Sequence, residues 1–204
     1  MLSKIVGRDV SKLDRLDINR ALAETASENA VDGIFAPLFW ILLGLFLWEI
    51  SPELPGPLTL GWIFKASSTL DSMIGYKYGK LFWLGTSGAL LDDFMVWIPC
   101  RIVVLTTPLV CRKIFKSLSL IKISWADGSK DKSPNAGLSQ AIFAHCVGIR
   151  MGGINFYKGE KIIKPLMASY APNAEKSSIN QLLNTSIRLQ FLWMILVSFI
   201  FYFI

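Results

Sequence analysis

Long apolar runs, separated by short polar segments, constrain the fold of this chain more than any other feature. Residues 33–50 read GIFAPLFWILLGLFLWEI and are nearly all apolar. About 20 apolar residues cross the hydrocarbon core of a bilayer as a helix, so this run is close to the required length. Further apolar runs occupy residues 58–64, 81–111 and 191–204. The pattern predicts an all-α integral membrane helical bundle with polar amphipathic helices and loops, multi-pass in the cell membrane.

The composition agrees with a membrane protein. Of 204 residues, 52% are hydrophobic and 18% are charged, whereas soluble domains average about 25% charged residues. We expect a single membrane domain over residues 1–204. Its parts are an amphipathic helix at 1–32, membrane helices with polar breaks at 33–111, a basic connector with a helix and a loop at 112–188, and a short C-terminal apolar helix at 189–204.

The net charge of +6 arises from clusters of Lys and Arg before the first apolar run and after residue 111. Such clusters are typical of the cytoplasmic side of membrane helices. Nucleic-acid binding is not expected, because it needs basic residues interleaved with aromatic ones on a soluble face. Cys100, Cys111 and Cys146 are far apart, so a disulfide framework or zinc site is not expected. The only histidine, His145, is expected to be packed or interfacial rather than catalytic.

The segment 65–80, KASSTLDSMIGYKYGK, concentrates polar side chains between two apolar runs. Hydroxyl, carboxylate and ammonium groups are costly near lipid unless they face partners, water or a substrate. The segment is therefore either a functional site or a solvated loop between membrane helices. The chain breaker SPELPGP at 51–57 predicts a helical hairpin over residues 33–70. This hairpin would return segment 65–80 to the membrane side on which the helix at 11–32 lies.

A row of carboxylates marks that predicted helix. Glu24, Glu28 and Asp32 are four residues apart, so they share one stripe of a helix. Like charges on one stripe repel and destabilise the helix slightly unless cations offset them. The row is either a solvated helix face or a site that holds Mg²⁺ or orients an amine, with Asn29 beside it.

Asp92 and Asp93 interrupt the apolar run at 81–111, where carboxylates are expensive in lipid. They are expected to mark a break, the start of a second helix or a polar cavity. Arg101 follows about two helical turns later and is positioned to face one of them.

The motif SPNAG, residues 133–137, predicts a helix that has Ser133 as its N-cap and ends near Arg150. A helix N-terminus favours an anion such as phosphate, although a plain capped helix explains the motif equally well. The sequence has no GxxxxGK[ST], GxGxxG, HExxH or GxSxG motif, so any bound nucleotide is held without a Walker loop.

Five blocks, taken together and in order, resemble one family. They are ETASENAVDG with APLF (24–39), STLDSMIGYK (68–77), DD with IPCR (92–101), SPNAG (133–137), and VGIRMGG followed by Tyr157 and Gly159 (147–159). These blocks resemble adenosylcobinamide-phosphate synthase, the CobD/CbiB family of membrane enzymes in cobalamin biosynthesis. Two departures stand out: no arginine lies between Ser87 and Asp92, and family members carry a further N-terminal membrane portion before the helix with which this chain starts.

The resemblance implies a ligase that joins (R)-1-aminopropan-2-yl phosphate to a carboxylate of adenosylcobyric acid, with ATP and Mg²⁺. Its partners would be these corrinoid and amino-alcohol phosphate substrates and the lipid bilayer. The alternative is a shortened, non-catalytic membrane homologue that acts as a binding or structural protein.

The resemblance does not fix the role of each residue, so roles are assigned by residue type. Catalysis is expected from Asp71, Lys77 and Glu28. Substrate binding is expected from Asn29, Tyr76, Arg101, Ser133, Asn135 and Gly137. Metal binding is expected from Glu24, Glu28, Asp32 and Asp71, with Asp92 and Asp93 as alternates.

Overall fold

The computed structural model describes residues 6, 8, 13–74, 82–111, 114–157 and 159–203. Within them the α-helices are α1 (Arg15–Ala30), α2 (Ala36–Ile50), α3 (Pro57–Ile74), α4 (Phe82–Val110), α5 (Ser117–Gly128), α6 (Ala136–Val147) and α7 (Lys176–Phe203). The strands are β1 (Met151–Tyr157) and β2 (Glu160–Met167). A π-helical turn, Val31–Phe35, joins α1 to α2, and a 3₁₀ turn, Ile114–Lys116, precedes α5.

The chain divides into two compact units. The first contains Met1–Ala30 and Ile102–Ile204, and the second contains Val31–Arg101. We expected one membrane domain with the polar segments as connections. Instead, the segments at both ends of the sequence form a unit with its own buried core.

The predicted helical hairpin is confirmed in the second unit. α2 ends at Ile50, the proline-rich segment turns the chain, and α3 packs back along α2. The helices approach closely because glycines lie where they touch. A Cβ on Gly44 would be 2.7 Å from the backbone of Gly56, and one on Gly61 would be 3.0 Å from Ile41. This antiparallel packing puts the start of α2 and the end of α3 at the same end of the hairpin.

α4 corrects the expectation for Asp92 and Asp93. It is one continuous helix of 29 residues, so these carboxylates mark neither a break nor the start of a second helix. The helix also continues through Pro99 and Pro108. Its residues up to Arg101 belong to the second unit, and the remainder belongs to the first unit. In the second unit, Trp40 Nε1 donates a hydrogen bond to the Met95 carbonyl at 2.8 Å.

The first unit corrects the all-α expectation, because the part expected to hold a basic connector, a helix and a loop, 112–188, also contains two strands. β1 and β2 form an antiparallel hairpin in which Ile154 pairs with Ile163. Gly159 lies in the turn with a φ of +83°, a value that favours glycine. α1, α5 and α6 pack against this hairpin, and α7 packs against α1 and α6. The core includes Ala21, Ile142, Phe143, Met151, Met167 and Leu189.

The expected basic connector also contains a helix, α5. This helix packs against α6, and the two backbones meet at glycines. A Cβ on Gly137 would lie 2.2 Å from the Gly128 carbonyl oxygen. α6 starts at Ala136, after Asn135 in the N-cap position, and stops at Gly148. It is therefore shorter at both ends than the helix predicted from Ser133 to Arg150.

Among the described residues, two helices are long and apolar enough to cross a membrane. One is the continuous helix Arg15–Ile50, whose apolar part is the run at 33–50, and the other is Lys176–Tyr202. The expectation of a short C-terminal helix at 189–204 is corrected, because α7 has 28 residues. The multi-pass arrangement in the cell membrane stays a prediction.

Candidate functional site

A polar pocket of about 210 Å³ lies in the first unit among α1, α6 and the β-hairpin. Its polar walls come from segments that are distant in sequence. The side chains concerned are Arg8, Glu24, Glu28, Gln140, Tyr157 and Lys164. The predicted row of carboxylates on α1 therefore faces a pocket at two of its three positions.

Glu24 forms a fixed part of the wall. Its side chain is 2% exposed, and one carboxylate oxygen accepts a hydrogen bond from the guanidinium of Arg8. The other oxygen accepts one from the backbone N–H of Gly152 at 2.8 Å, and Arg20 Nε lies 3.9 Å from it. Arg8 also donates to Asn155 Oδ1. Arg8 and Arg20 therefore supply positive charges that offset the repulsion between the carboxylates of the row.

Glu28 is less enclosed, with 31% of its side chain exposed. It accepts a hydrogen bond from Gln140 Nε2, and Lys164 Nζ lies 3.8 Å from the same oxygen. Glu28 precedes the apolar run at 33–50 and lies outside the part of the helix suited to lipid. Burial raises the pKa of its carboxyl above the ordinary value, although Lys164 and Gln140 act in the opposite direction. A raised pKa makes this carboxylate a stronger base.

Two buried amide atoms near the pocket lack hydrogen-bond partners within the described part of the chain. They are Oε1 of Gln140 and Nδ2 of Asn155, on side chains that are almost completely buried. Most buried polar atoms are hydrogen-bonded, so an orphaned atom in a polar cavity indicates a place for water or a ligand. Gln140 lines the pocket and carries one of these two atoms, an acceptor. The wall thus combines acceptors, Glu28 and Gln140, with the cation Lys164.

The other predicted residues on and after α1 lie elsewhere. Asn29 is exposed. Asp32 lies in the π-helical turn of the second unit, which does not follow the α-helical pattern that places residues four apart on one stripe. In the same unit, the backbone of Asp71 lies against Gly88 of α4. Gly88 precedes Asp92 by about one helical turn. Their predicted roles are untested.

Arg101 contacts its own helix, with its guanidinium 4.5 Å from the Trp97 ring centre and one nitrogen donating to the Trp97 carbonyl. Its predicted role in substrate binding stays a prediction. Tyr76 and Lys77 lie outside the described residues. The shared polar surface predicted from the hairpin therefore also stays a prediction.

In the motif SPNAG, two of the residues predicted to bind substrate have a structural role. Ser133 Oγ accepts a hydrogen bond from the Ala136 N–H at 3.3 Å, and Gly137 packs on Gly128. Asn135 is buried at the N-cap position. Substrate contacts at Ser133, Asn135 and Gly137 stay predictions.

No three His, Cys, Asp or Glu side chains come together as a metal site in the part of the chain that the structure describes. The six carboxylates predicted as ligands, all of them described, include no such group of three. Mg²⁺ often binds through one or two carboxylates together with substrate phosphates. Metal binding by these carboxylates stays a prediction.

Reasoning from the sequence missed Arg8, Gln140 and Lys164. Gln140 gave a weak signal, because it is a polar residue inside the apolar stretch of α6. Lys164 and Arg8 gave none beyond their charge. Glu28 and Gln140 are 112 residues apart, and nothing in a single sequence pairs residues at that separation.

A second polar cluster surrounds His145, which is packed as expected at 2% exposure. Its Nδ1 lies 3.0 Å from the Tyr170 hydroxyl, and its Nε2 lies 3.0 Å from Asp127 Oδ2. Burial acts to raise the pKa of Asp127, but hydrogen bonds from Lys130, the Ala168 N–H and His145 outweigh it and hold that pKa below the ordinary value. The cluster joins α5, α6 and the loop that follows β2.

Comparison with known proteins gives a match along most of the chain. The family model described as "CobD/Cbib protein" matches residues 1–186. A protein of Synechocystis named cobalamin biosynthesis protein CobD is 39% identical over 197 residues, which cover 97% of this chain and 55% of that protein. The protein of the same name from Photorhabdus laumondii is 40% identical over 169 residues, 81% of this chain and 49% of its own.

Cobalamin biosynthesis protein CbiB of Salmonella typhimurium is 41% identical over 167 residues, 80% of this chain and 48% of its own. The chain therefore spans about half the length of the curated relatives it matches. No solved structure gives a significant match.

Proposed function

The chain belongs to the CobD/CbiB family, and we propose that it acts in cobalamin biosynthesis as an amide-forming ligase. Its substrates would be adenosylcobyric acid and (R)-1-aminopropan-2-yl phosphate, and its product adenosylcobinamide phosphate. The observation that carries this proposal is the polar pocket, which offers both hydrogen-bond acceptors and a cation. A small molecule with an amine at one end and a phosphate at the other needs that combination.

The amine would bind at the acceptor side of the pocket. Gln140 Oε1 is a buried acceptor without a partner in the described residues, and Glu28 supplies a carboxylate. An ammonium group has only donors, so it satisfies both. Lys164 Nζ, 3.8 Å from Glu28, would contact the phosphate or the corrinoid carboxylate.

Amide formation requires that the amine lose its proton before or during attack on the carbonyl carbon. Glu28 is our candidate for the base, because burial raises the pKa of its carboxyl and a positioned base contributes about 10²- to 10⁴-fold. The amine nitrogen then bonds to the carbonyl carbon, the bond from that carbon to its leaving oxygen breaks, and Glu28 holds the proton.

A free carboxylate is a poor acyl donor, so we also propose ATP and Mg²⁺ as co-reactants. ATP would supply the phosphoryl group that makes the carboxylate oxygen a leaving group. The described residues form neither a Walker loop nor a three-ligand metal site. We therefore assign no step of the phosphoryl transfer to this chain's residues.

The test is product formation by the purified chain. The chain in mild detergent is mixed with both substrates, ATP and Mg²⁺, and the amide is measured by mass spectrometry. Glu28→Gln should lower the rate about 100-fold or more, and the loss should be in kcat more than in KM. Glu175→Gln is the matched control, because Glu175 is exposed outside the pocket. Full activity in Glu28→Gln would refute the assigned base, and no product from the unaltered chain would refute the ligase.

A further inference from the structure

A second cavity in the first unit is much larger than the polar pocket. It has a volume of about 1140 Å³ and lies between the N-terminal part of α1 and one face of the β-hairpin. Ligand cavities of drug-sized molecules are about 300–1,000 Å³. This cavity, here called the hairpin groove, is therefore at or above the upper end of that range.

The hairpin groove is amphipathic. Its apolar wall includes Leu16 of α1 and Ile154, Phe156 and Ile163 of the hairpin, and these side chains are between 43% and 73% exposed. Ile154 and Ile163 are direct cross-strand partners, so they point from the same face of the sheet. Large apolar side chains exposed together mark a binding surface more often than scattered ones do.

The charges of the hairpin groove favour an anionic ligand. Four cationic side chains line it against two acidic ones: Arg20, Arg150, Lys161 and Lys164 against Asp14 and Asp17. Arg20 is held in the wall by the carbonyls of Gly152 and Ile154, and Arg150 by Asn173. The two lysines of β2 complete the set: Lys161 is exposed, and Lys164 is half-buried with its Nζ 3.8 Å from Glu28.

Lys164 lines both the hairpin groove and the polar pocket. A ligand in the polar pocket and a ligand in the hairpin groove would therefore both contact this side chain. One cavity is small and polar, and the other is large, amphipathic and positively charged. An amide between a small amine and a large carboxylic acid needs this pair of compartments.

We infer that the hairpin groove binds the corrinoid, with its macrocycle against Ile154, Phe156 and Ile163 and its reacting carboxylate at Lys164. This inference rests on the proposed function, because the polar pocket is taken as the place of the amine. Charge neutralisation at Lys164, whose Nζ lies 3.8 Å from Glu28, brings the carboxylate next to the nucleophile.

A membrane surface is the competing occupant, since exposed Ile, Phe and Lys also suit anionic lipid. The concave shape and the two carboxylates in the wall favour a bounded ligand over a flat anionic surface, which Asp14 and Asp17 would repel. The experiment therefore includes a lipid arm.

The experiment measures binding without catalysis. Adenosylcobyric acid is coloured, so its binding to the full chain in detergent is followed by equilibrium ultrafiltration and visible absorbance. Ile163→Glu places a carboxylate on the apolar wall and should weaken corrinoid binding about tenfold or more. Ile162→Glu makes the same change on the neighbouring position, which points to the other sheet face and does not line the groove. It should bind within about twofold of the unaltered chain.

A second variant, Lys161→Glu, should also weaken corrinoid binding. Thermal unfolding of each variant shows that it is folded. Equal corrinoid affinity of the unaltered chain, Ile163→Glu and Lys161→Glu would overturn the inference. The inference would also be overturned if Ile163→Glu lost binding to phosphatidylglycerol vesicles while its corrinoid binding stayed unchanged. Groove-dependent corrinoid binding without any amide product would support the groove and refute the ligase, so the two failures are distinguishable.

Discussion

The buried pair between Arg8 and Glu24 gives the sharpest prediction of the structure. Glu24→Gln keeps the shape of the side chain and its carbonyl acceptor for the Gly152 N–H, but it removes the charge opposite Arg8. Both side chains are at most 5% exposed, so water does not replace the lost partner. Breaking a buried ion pair by removing one member costs about 3–5 kcal/mol. We expect the free energy of unfolding of the first unit to fall by that amount.

The assay is thermal unfolding of the purified chain in detergent, where a loss of this size lowers the midpoint by roughly 10 °C. Glu53→Gln is the matched control, because Glu53 is exposed in the turn between α2 and α3. A double-mutant cycle isolates the pair: Arg8→Gln with Glu24→Gln should cost clearly less than the two single changes added together. An unchanged midpoint in Glu24→Gln, or additive effects in the cycle, would show that the pair does not hold the pocket wall. Loss of activity with full stability would instead favour the predicted role of Glu24 as a metal ligand.

Three further predictions concern α5, α6 and the loop after β2. Gly137→Ala should destabilise the chain by about 1–3 kcal/mol, because its Cβ would collide with the Gly128 carbonyl; Gly33→Ala, which has open space, should not lower the unfolding midpoint. The folded-state pKa of Asp127 is lowered, so its stabilisation is present above the unfolded value of about 3.9 and is lost as the pH falls through the folded value. Unfolding midpoints across acid pH should accordingly fall less steeply for Asp127→Asn than for the unaltered chain. Tyr170→Phe removes the hydroxyl beside His145 Nδ1 and should cost about 1 kcal/mol in a denaturant titration; no change would show that water replaces the hydroxyl.

The helical hairpin was predictable because its signals are local. Apolar runs and a proline-rich breaker specify two helices and the turn between them, and α2 and α3 follow that pattern. α4 was less predictable: Asp92 and Asp93 were expected to mark a break, the start of a second helix or a polar cavity, and they lie within one continuous helix. Intrinsic helix propensity is a weak guide that tertiary packing overrides, so the local sequence does not decide whether a helix continues through such a pair.

The β-hairpin was missed because its two strands contain residues that are uncommon in strands. β1 contains Gly152 and Gly153 and β2 contains Pro165, residues that weaken a strand pattern. The structure explains Gly152 by its φ of +85° and by the Pro165 carbonyl, which would lie 1.9 Å from a Cβ. The irregularity that hid the strand is thus the bulge by which β1 meets β2, between Met151 and Gly153.

The row on α1 shows what spacing can and cannot predict about a site. Spacing correctly put Glu24 and Glu28 on one stripe, but it made them equivalent, and the fold separates them. Glu24 has donors at both oxygens and almost no exposure. The described contacts of Glu28 both reach Oε1, a third of its side chain is exposed, and burial still raises its pKa.

Environment, rather than residue type, therefore assigns the two carboxylates different tasks. A saturated, buried carboxylate holds Arg8 and the start of β1 in place. A partly open carboxylate with a raised pKa can exchange a proton with a ligand. The same substitution at the two positions should accordingly separate the two tasks: Glu24→Gln should unfold early, whereas Glu28→Gln should keep the unfolding midpoint and lose turnover.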